Sequence, residues 1–158
     1  MIGPRWAALC MVLLLATQAC AQSTNPREVL IELRLARNTA APGFAAMRSL
    51  GDTTFFVAGR AIVSDSDIVE ANTINTHDGL LVRVRLTSSA AARLSAATKR
   101  HLGERIAVLT GGKLNGAPVV KGALSATERM LDIALQLPQS DAARFASAVA
   151  ARWPSGHS

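Results

Sequence analysis

The sequence has 158 residues, of which 49% are hydrophobic and only 4% aromatic, and its formal net charge is +6. This length suits one compact domain and is too short for two, and its core must be built mainly from Ala, Val, Leu and Ile. The basic residues are scattered, without runs or interleaved aromatic residues, which excludes a nucleic-acid-binding pattern and favours a solvated basic surface.

The N-terminus has the pattern of a secretory signal peptide, which we assign to residues 1–21. One basic residue, Arg5, precedes an apolar stretch at residues 7–16. Spanning a membrane takes about 20 apolar residues, so this stretch is too short to do so. A basic start, a short apolar middle and small residues after it are typical of an export signal. A buried N-terminal core helix is the less favoured alternative.

Two cleavage sites are compatible with this signal, and the sequence leaves both open. Ala19 and Ala21 fit ordinary cleavage, which would leave Gln22 as the first residue. Residues 17–20, Thr-Gln-Ala-Cys, resemble a bacterial lipobox, in which Cys20 is acylated after cleavage before it. Both cysteines, Cys10 and Cys20, lie in this region. The remaining chain therefore contains no disulfide and no cysteine-based metal site.

The next region, residues 22–52, is predicted to hold a polar tether and an N-terminal strand. Apolar residues alternate from Val29 to Leu35, which indicates a half-buried strand. A second strand is expected near residues 53–58. Residues 64–67, Ser-Asp-Ser-Asp, are typical of a helix start, and we expect a short helix there that continues to about Ala71.

A β-hairpin is predicted over residues 71–86. His77-Asp78-Gly79 lies between two alternating segments, and Asp-Gly suits the positive φ values of a tight two-residue turn. In the return strand Leu80, Val82, Val84 and Leu86 share one face.

A helix, a strand and a turn follow the hairpin. Thr87-Ser88-Ser89 is expected to cap a helix that ends near Leu102 and Gly103, with a buried stripe at Ala91, Leu94, Thr98 and Leu102. Residues 106–109 form a predicted buried strand. Gly111-Gly112 then turns the chain, and residues 117–120 are expected to continue the sheet.

The last elements are a strand and a helix. Residues 125–128, Ser-Ala-Thr-Glu, fit a capping box, but the alternation from Leu131 to Leu137 predicts a strand. Ser140 is expected to open a helix that Pro154 ends. This mixed order predicts an α+β fold, in which a mainly antiparallel sheet carries helices packed on one face.

The sequence contains no motif for catalysis or metal binding. Asp65 and Asp67 form a carboxylate pair, but capping explains their position better than chemistry. Gly111-Gly112-Lys113 lacks the remaining residues of a phosphate-binding loop, and no G-x-S-x-G motif occurs. None of the histidines has metal-ligand spacing, and His101 is better explained as a partner of a helix C-terminus: His77, His101 and His157. We therefore predict a binding module that is not an enzyme and uses no cofactor or metal.

Several segments resemble the periplasmic head subdomain of SecD, the protein-export accessory subunit. The matching segments are residues 81–87 (Leu-Val-Arg-Val-Arg-Leu-Thr), 103–109 (Gly-Glu-Arg-Ile-Ala-Val-Leu), 112–114 (Gly-Lys-Leu) and 117–120 (Ala-Pro-Val-Val). The sequence departs from this pattern at Gly111, where the family has Asp, and at Asn115, where it has an apolar residue. The transmembrane helices of SecD have no counterpart in it.

This resemblance implies a stand-alone, SecDF head-like domain at residues 53–152, followed by a tail at 153–158. It also implies a periplasmic location and a polypeptide or envelope protein as partner, with no nucleic acid. A lipid anchor at Cys20 would be the only link to a membrane, in that case the outer membrane. Two alternatives remain open, a lipid-anchored structural or interaction protein of the envelope and a periplasmic hydrolase. The sequence places the ligand-binding site on no particular residues.

Overall fold

The computed structural model describes residues 29–154, so the predicted signal peptide and tether lie outside the described residues. The described chain forms eight strands, which are β1 (Ile31–Arg37), β2 (Phe44–Arg48), β3 (Thr54–Val63), β4 (Ile68–Thr76), β5 (Gly79–Leu86), β6 (Arg105–Thr110), β7 (Lys113–Gly116) and β8 (Met130–Leu135). Its two helices are α1 (Ser88–Arg100) and α2 (Gln139–Arg152).

The strands form two sheets, in each of which all neighbouring strands are antiparallel. The five-stranded sheet has the order β2-β3-β1-β6-β7, and the three-stranded sheet has the order β4-β5-β8. The α+β class and the mainly antiparallel pairing are therefore confirmed. The division into two sheets has no signal in the periodicity, because it depends on which strands pair across long stretches of sequence.

One apolar cluster joins both sheets and both helices. It includes Leu33 and Val108 of the five-stranded sheet, Val82 of the three-stranded sheet, Leu94 of α1 and Val149 of α2. A smaller cluster lies on the other face of the five-stranded sheet and consists of Ala36, Val57, Ala107, Leu109, Leu114 and Ala117. Alternate residues of β1 and β6 thus enter different clusters, because successive side chains of a strand point to opposite faces.

The predicted hairpin is present as β4 and β5. Its two-residue loop is His77-Asp78, one position earlier than expected, and Gly79 already pairs with Thr76. Gly79 has a φ of +130°, and a Cβ atom there would lie 2.8 Å from Leu135 O. Glycine is therefore needed at this position both for its backbone conformation and for the close approach of β8.

The helix expected to reach Ala71 is only a single 3₁₀ turn, Asp65–Asp67, and β4 begins directly after it. Ile68 and Ala71 are both buried, and they lie opposite Leu86 and Val84 of β5. Pairing with β5 gives eight residues of β4 a partner on the neighbouring strand, so the extended conformation prevails over the local helix-start signal. The strand β2 has no counterpart among the predicted elements.

The two helices largely follow the predicted pattern. Thr87 Oγ1 accepts a hydrogen bond from Ala90 N at 3.2 Å and caps α1. Leu102 is 55% exposed, contrary to the expectation of a buried residue, because α1 ends at Arg100 and Gly103 reverses the chain with a φ of +81°. At the end of α2, Trp153 Nε1 donates to Ile68 O at 3.2 Å. Neither helix of the described residues is long and apolar enough to cross a membrane.

Candidate functional site

A cleft of about 640 Å³ lies between β8 and the segment of residues 115–122. We call it the β8 cleft. One wall is β8, which is an edge of the three-stranded sheet. The opposite wall begins in β7, which is an edge of the five-stranded sheet, and continues beyond it. The cleft therefore separates the edges of two sheets, and its inner surface is formed by the buried side chains Leu33, Leu94, Ile106 and Val108.

The β8 wall presents backbone groups to the cleft. Leu86 N donates to the directly opposite Arg129 O at 2.8 Å. In an antiparallel pair such bonded positions alternate with positions whose backbone groups point away. Leu131, Ile133 and Leu135 therefore bind β5. The N–H and C=O groups of Asp132 and Ala134 face away from β5, and both residues line the β8 cleft.

The opposite wall is held by the beginning of β6 and the loop before it. Ile106 N donates to Pro118 O at 3.0 Å, and Val120 N donates to Glu104 O at 2.8 Å. Val119, between them, forms an isolated bridge with Arg105, and the same alternation turns its backbone groups away from β6. The predicted continuation of the sheet at residues 117–120 is therefore limited to this bridge, because β7 occupies residues 113–116.

Few polar side chains enter the β8 cleft, and most of them have an internal partner. The buried Thr98 Oγ1 donates to Leu94 O and accepts from Leu124 N, each at 3.0 Å, so it ties α1 to the chain beyond the cleft. At the lip, Asp132 forms two hydrogen bonds of 2.8 Å with Arg83. These hydrogen bonds hold the pKa of Asp132 below its usual range, so the lip carries a paired charge.

One side chain forms a hydrogen bond between the two walls of the β8 cleft. Asn115 Oδ1 accepts a hydrogen bond from Gln136 N at 3.4 Å. Gln136 follows β8 by one residue, so its N–H is the next group along the edge after those of Asp132 and Ala134. Asn115 therefore links the end of β7 to the end of β8.

The carboxylate pair of the sequence has two separate structural roles. Asp65 is buried, and its carboxylate accepts hydrogen bonds from Leu30 N at 2.9 Å and Ile31 N at 2.8 Å, which fixes the start of β1. Asp67 accepts from Ser64 N at 3.0 Å and from Arg93 at 2.6 Å. Burial raises the pKa of Asp67, but the hydrogen bonds from Arg93 and Ser64 outweigh it and lower the pKa overall. Asp67 therefore completes a capping box at the 3₁₀ turn, as the sequence predicted, whereas Asp65 binds the start of β1 and is not a cap.

His101 lies at the C-terminus of α1, as its interpretation as a helix-end partner requires. Its Nδ1 lies 3.3 Å from Glu104 Oε2. This is an ion-pair distance, but the ring nitrogen is not aimed at the oxygen well enough for a hydrogen bond. Arg37 also reaches Glu104 Oε2 at 3.3 Å. Contact with His101, with a further effect of Arg37, lowers the pKa of Glu104. This cluster supports the loop that carries the wall opposite β8.

The other candidate residues do not come together. His77 is exposed in the β4–β5 turn, and Gly111 and Gly112 form the β6–β7 turn with positive φ values. Cys20 and His157 lie outside the described residues. Between residues 29 and 154 there is no group of three or more residues able to hold a metal ion.

Sequence reasoning did not identify the β8 cleft. Its walls lie about 15 residues apart in the chain and meet only through long-range pairing. The one signal available in the sequence was Asn115, a polar residue at a position where the SecD family has an apolar one. The alternation of Leu131 and Ile133 predicted β8, but periodicity does not tell an edge strand from a central one.

Two solved structures show the same fold. The crystal structure of SecDF in its super-membrane-facing form matches with a TM-score of 0.55 and 14% identity, over 77% of this chain and 18% of that chain. A structure of the membrane component SecDF that enhances protein export matches with a TM-score of 0.55 and 16% identity, over 77% of this chain and 62% of that chain.

The sequence comparisons give a second, independent result. No curated protein matches the sequence. The family model of SecDF, P1 head subdomain, matches residues 44–151, which is more than half of the chain. The chain therefore belongs to the SecDF P1 head subdomain family.

Proposed function

We propose that this protein binds extended segments of polypeptide in the β8 cleft, noncovalently and without a cofactor. The observation that supports this most directly is the β8 edge, where the backbone groups of Asp132 and Ala134 face an apolar cleft. A polypeptide in extended conformation pairs with such an edge as an additional strand, and the backbone hydrogen bonds make the affinity largely independent of sequence.

The cleft also defines the side chains that suit it. Alternate residues of an added strand would point inward, where Leu94 and Ile106 offer apolar surface, and the others would point to solvent. The charge of Asp132 is already paired with Arg83, so the lip favours neither acidic nor basic ligands strongly. The cleft therefore suits unfolded chains with alternating apolar residues, whose backbone N–H and C=O groups are not yet paired in a sheet.

The biological setting follows from the family and from the N-terminus. A protein that enhances export, SecDF, contains this fold. We propose that the present protein acts on polypeptides that have crossed the cytoplasmic membrane, in the periplasm, after its own export by the signal at residues 1–21. Cys20 is the proposed lipid attachment site if cleavage follows the lipobox.

The proposal is tested by photo-crosslinking in living cells. p-Benzoylphenylalanine replaces Ala134 on the exposed face of β8, at the rim of the β8 cleft, or, as a matched control, Ala46 on the edge strand β2. Both alanines are exposed, and both direct backbone groups away from their sheet. We expect Ala134 to trap secretory polypeptides and Ala46 to trap few. Equal yields at both positions, or no polypeptide trapped at Ala134, contradict the proposal.

A second test blocks strand addition directly. Ala134→Pro removes an N–H that faces the cleft and spares the bonds to β5. We expect it to weaken the binding of a fluorescein-labelled peptide of alternating Val and Ser by about tenfold, whereas Ala46→Pro on β2 leaves binding unchanged. An unchanged dissociation constant in Ala134→Pro, with peptide bound by the wild type, would mean that β8 is not the docking edge.

The anchor is tested by metabolic labelling with palmitate. If Cys20 is acylated, the label is present in the wild type and lost in Cys20→Ala. Absence of label in the wild type supports cleavage before Gln22 and a soluble periplasmic form.

A further inference from the structure

One polar group in the β8 cleft has no partner in the chain from residue 29 to residue 154. Gln136 N–H is only a donor, so the atom of Asn115 that faces it must be the acceptor Oδ1. This fixes the orientation of the side-chain amide. The donor Nδ2 is buried and finds no acceptor among the described residues.

A buried donor without an acceptor is unfavourable, and native structures rarely tolerate one without a reason. Asn115 lines the β8 cleft, and a bound segment with a free carbonyl oxygen would supply the acceptor that this group lacks. Asn115 also lies where a strand added along β8 would have to end. Its Oδ1 already accepts the N–H of Gln136, which is the next backbone donor that the added strand would use.

We propose that Asn115 forms a hydrogen bond with the main chain of the bound polypeptide and fixes where the added strand ends. This inference rests on the function proposed above. The carboxamide has the same donor and acceptor as a peptide group. Its Oδ1 binds Gln136 N–H, and its Nδ2 donates to a carbonyl oxygen of the bound segment. The added strand is therefore confined to the edge before Gln136, where Asp132 and Ala134 supply the backbone partners.

Two variants test the Nδ2 donor of Asn115. Asn115→Asp keeps an oxygen that accepts from Gln136 N–H but removes the donor. Asn115→Leu removes both groups. Asn75→Asp makes the same chemical change at an exposed site of β4, away from the cleft, and serves as the matched control. All proteins carry the full sequence, and the probe is a fluorescein-labelled nine-residue peptide of alternating Val and Ser.

We expect the dissociation constant of the peptide to rise about fivefold in both Asn115 variants, which is the effect of one lost neutral hydrogen bond, and to stay within about twofold in Asn75→Asp. Nuclear magnetic resonance of the wild type gives a readout that a merely structural role does not move. The Nδ2 protons of Asn115, assigned by their loss in Asn115→Asp, should shift downfield on addition of peptide.

The outcomes distinguish this inference from the function on which it rests. If the wild type binds the peptide while the Asn115 amide signal stays in place, or if both Asn115 variants bind as tightly as the wild type, the inference is overturned and the cleft remains a binding site. If the wild type binds no peptide, the proposed function is overturned and the inference with it. The resonance measurement needs only the wild type and one assignment variant, so poor folding of Asn115→Leu does not affect it.

Discussion

The two sheets of this protein differ in how their faces and edges are covered. Both faces of the five-stranded sheet carry apolar clusters. Its outer strands are also joined, because Leu50, two residues after β2, donates its N–H to Leu114 O of β7 at 3.1 Å. The three-stranded sheet buries only one face. Its other face carries the exposed ion pairs of Arg83 with Asp132 and of Arg85 with Glu70.

This difference divides the structure into a framework and a presenting surface. The five-stranded sheet is stabilised by burial on both sides and leaves little edge available. The three-stranded sheet has one solvated face, and its edge strand β8 opens onto the cleft. Sheet edges are normally protected against pairing with other chains. The β8 edge borders an apolar cleft instead, which makes it a candidate site for pairing with a strand of another chain.

The largest expected effect concerns the alternation along β8. Ile133 N–H binds β5, and its side chain is buried. Ile133→Pro removes both contributions and should lower the free energy of unfolding by at least about 3 kcal/mol. Ala134→Pro, one residue further on, should lower it by less than about 1 kcal/mol. Urea denaturation followed by circular dichroism measures both values.

The order of these two variants tests the orientation of the β8 edge. If Ala134→Pro is as destabilising as Ile133→Pro, the N–H of Ala134 belongs to the ladder with β5 and is not available to a ligand. The comparison uses neighbouring residues and the same substituent, so general effects of proline on the unfolded chain largely cancel.

A smaller effect is expected from Asp65, which anchors the framework. Its carboxylate receives the backbone N–H groups of Leu30 and Ile31 at the start of β1, the central strand of the five-stranded sheet. Asp65→Ala leaves these donors without an acceptor and should cost about 2–3 kcal/mol. The exposed Asp78 in the β4–β5 turn is the control, and Asp78→Ala should change stability by less than about 0.5 kcal/mol. Similar losses in the two variants would contradict the anchoring role.

The sequence predicted the elements of this fold better than their arrangement. Strands with strong alternation, such as β5 and β8, and the capped helix α1 were recognisable because their signals are local. The weak segment β2 was missed, since Phe44 to Arg48 has no clear period. The helix-start signal at Ser64 was outweighed by the pairing of Ile68 and Ala71 with β5, and such tertiary effects are not encoded in a short window.

The candidate site depended on still longer-range information. Asp65 was predicted to be a capping residue, but its carboxylate binds Leu30 and Ile31, which lie 35 and 34 residues away in the chain. The β8 cleft arises only when residues 115–122 and β8 are placed side by side. Asn115 was visible as a departure from the SecD pattern, but its unpartnered donor was not, because hydrogen-bond satisfaction is a property of the folded structure.

The pH dependence of stability gives a smaller test, at the contact between the 3₁₀ turn and α1. The hydrogen bonds of Asp67 with Arg93 and Ser64 lower its pKa below the ordinary value of 3.8. The unfolded chain then binds the proton more readily, so the stabilisation by Asp67 is complete only above about pH 5 and is lost as the pH falls through the lower pKa of the folded state. We expect the stability difference between the wild type and Asp67→Asn to be constant above about pH 5 and to shrink below pH 3.8.

This difference is measured by urea denaturation from pH 6 to pH 2.5. The pKa of Glu104 is also lowered, but Glu104 titrates in both proteins, so its effect cancels in the difference. A gap between the two proteins that widens on acidification would mean that the pKa of Asp67 is raised in the folded protein.

The smallest effect is expected on the solvated face of the three-stranded sheet. Glu70 pairs with Arg85 at 2.9 Å, and this contact lowers its pKa. Both side chains are more than 40% exposed, so water and salt screen their attraction. The side-chain entropy lost on pairing offsets most of the remaining stabilisation. Glu70→Gln should leave the urea midpoint unchanged in 0.15 M salt. A loss comparable to that of Asp65→Ala would show that the ion pairs of this face stabilise the fold as the buried carboxylate does. Both sheets would then contribute comparably to the stability of the fold, and the distinction between framework and presenting surface would be wrong.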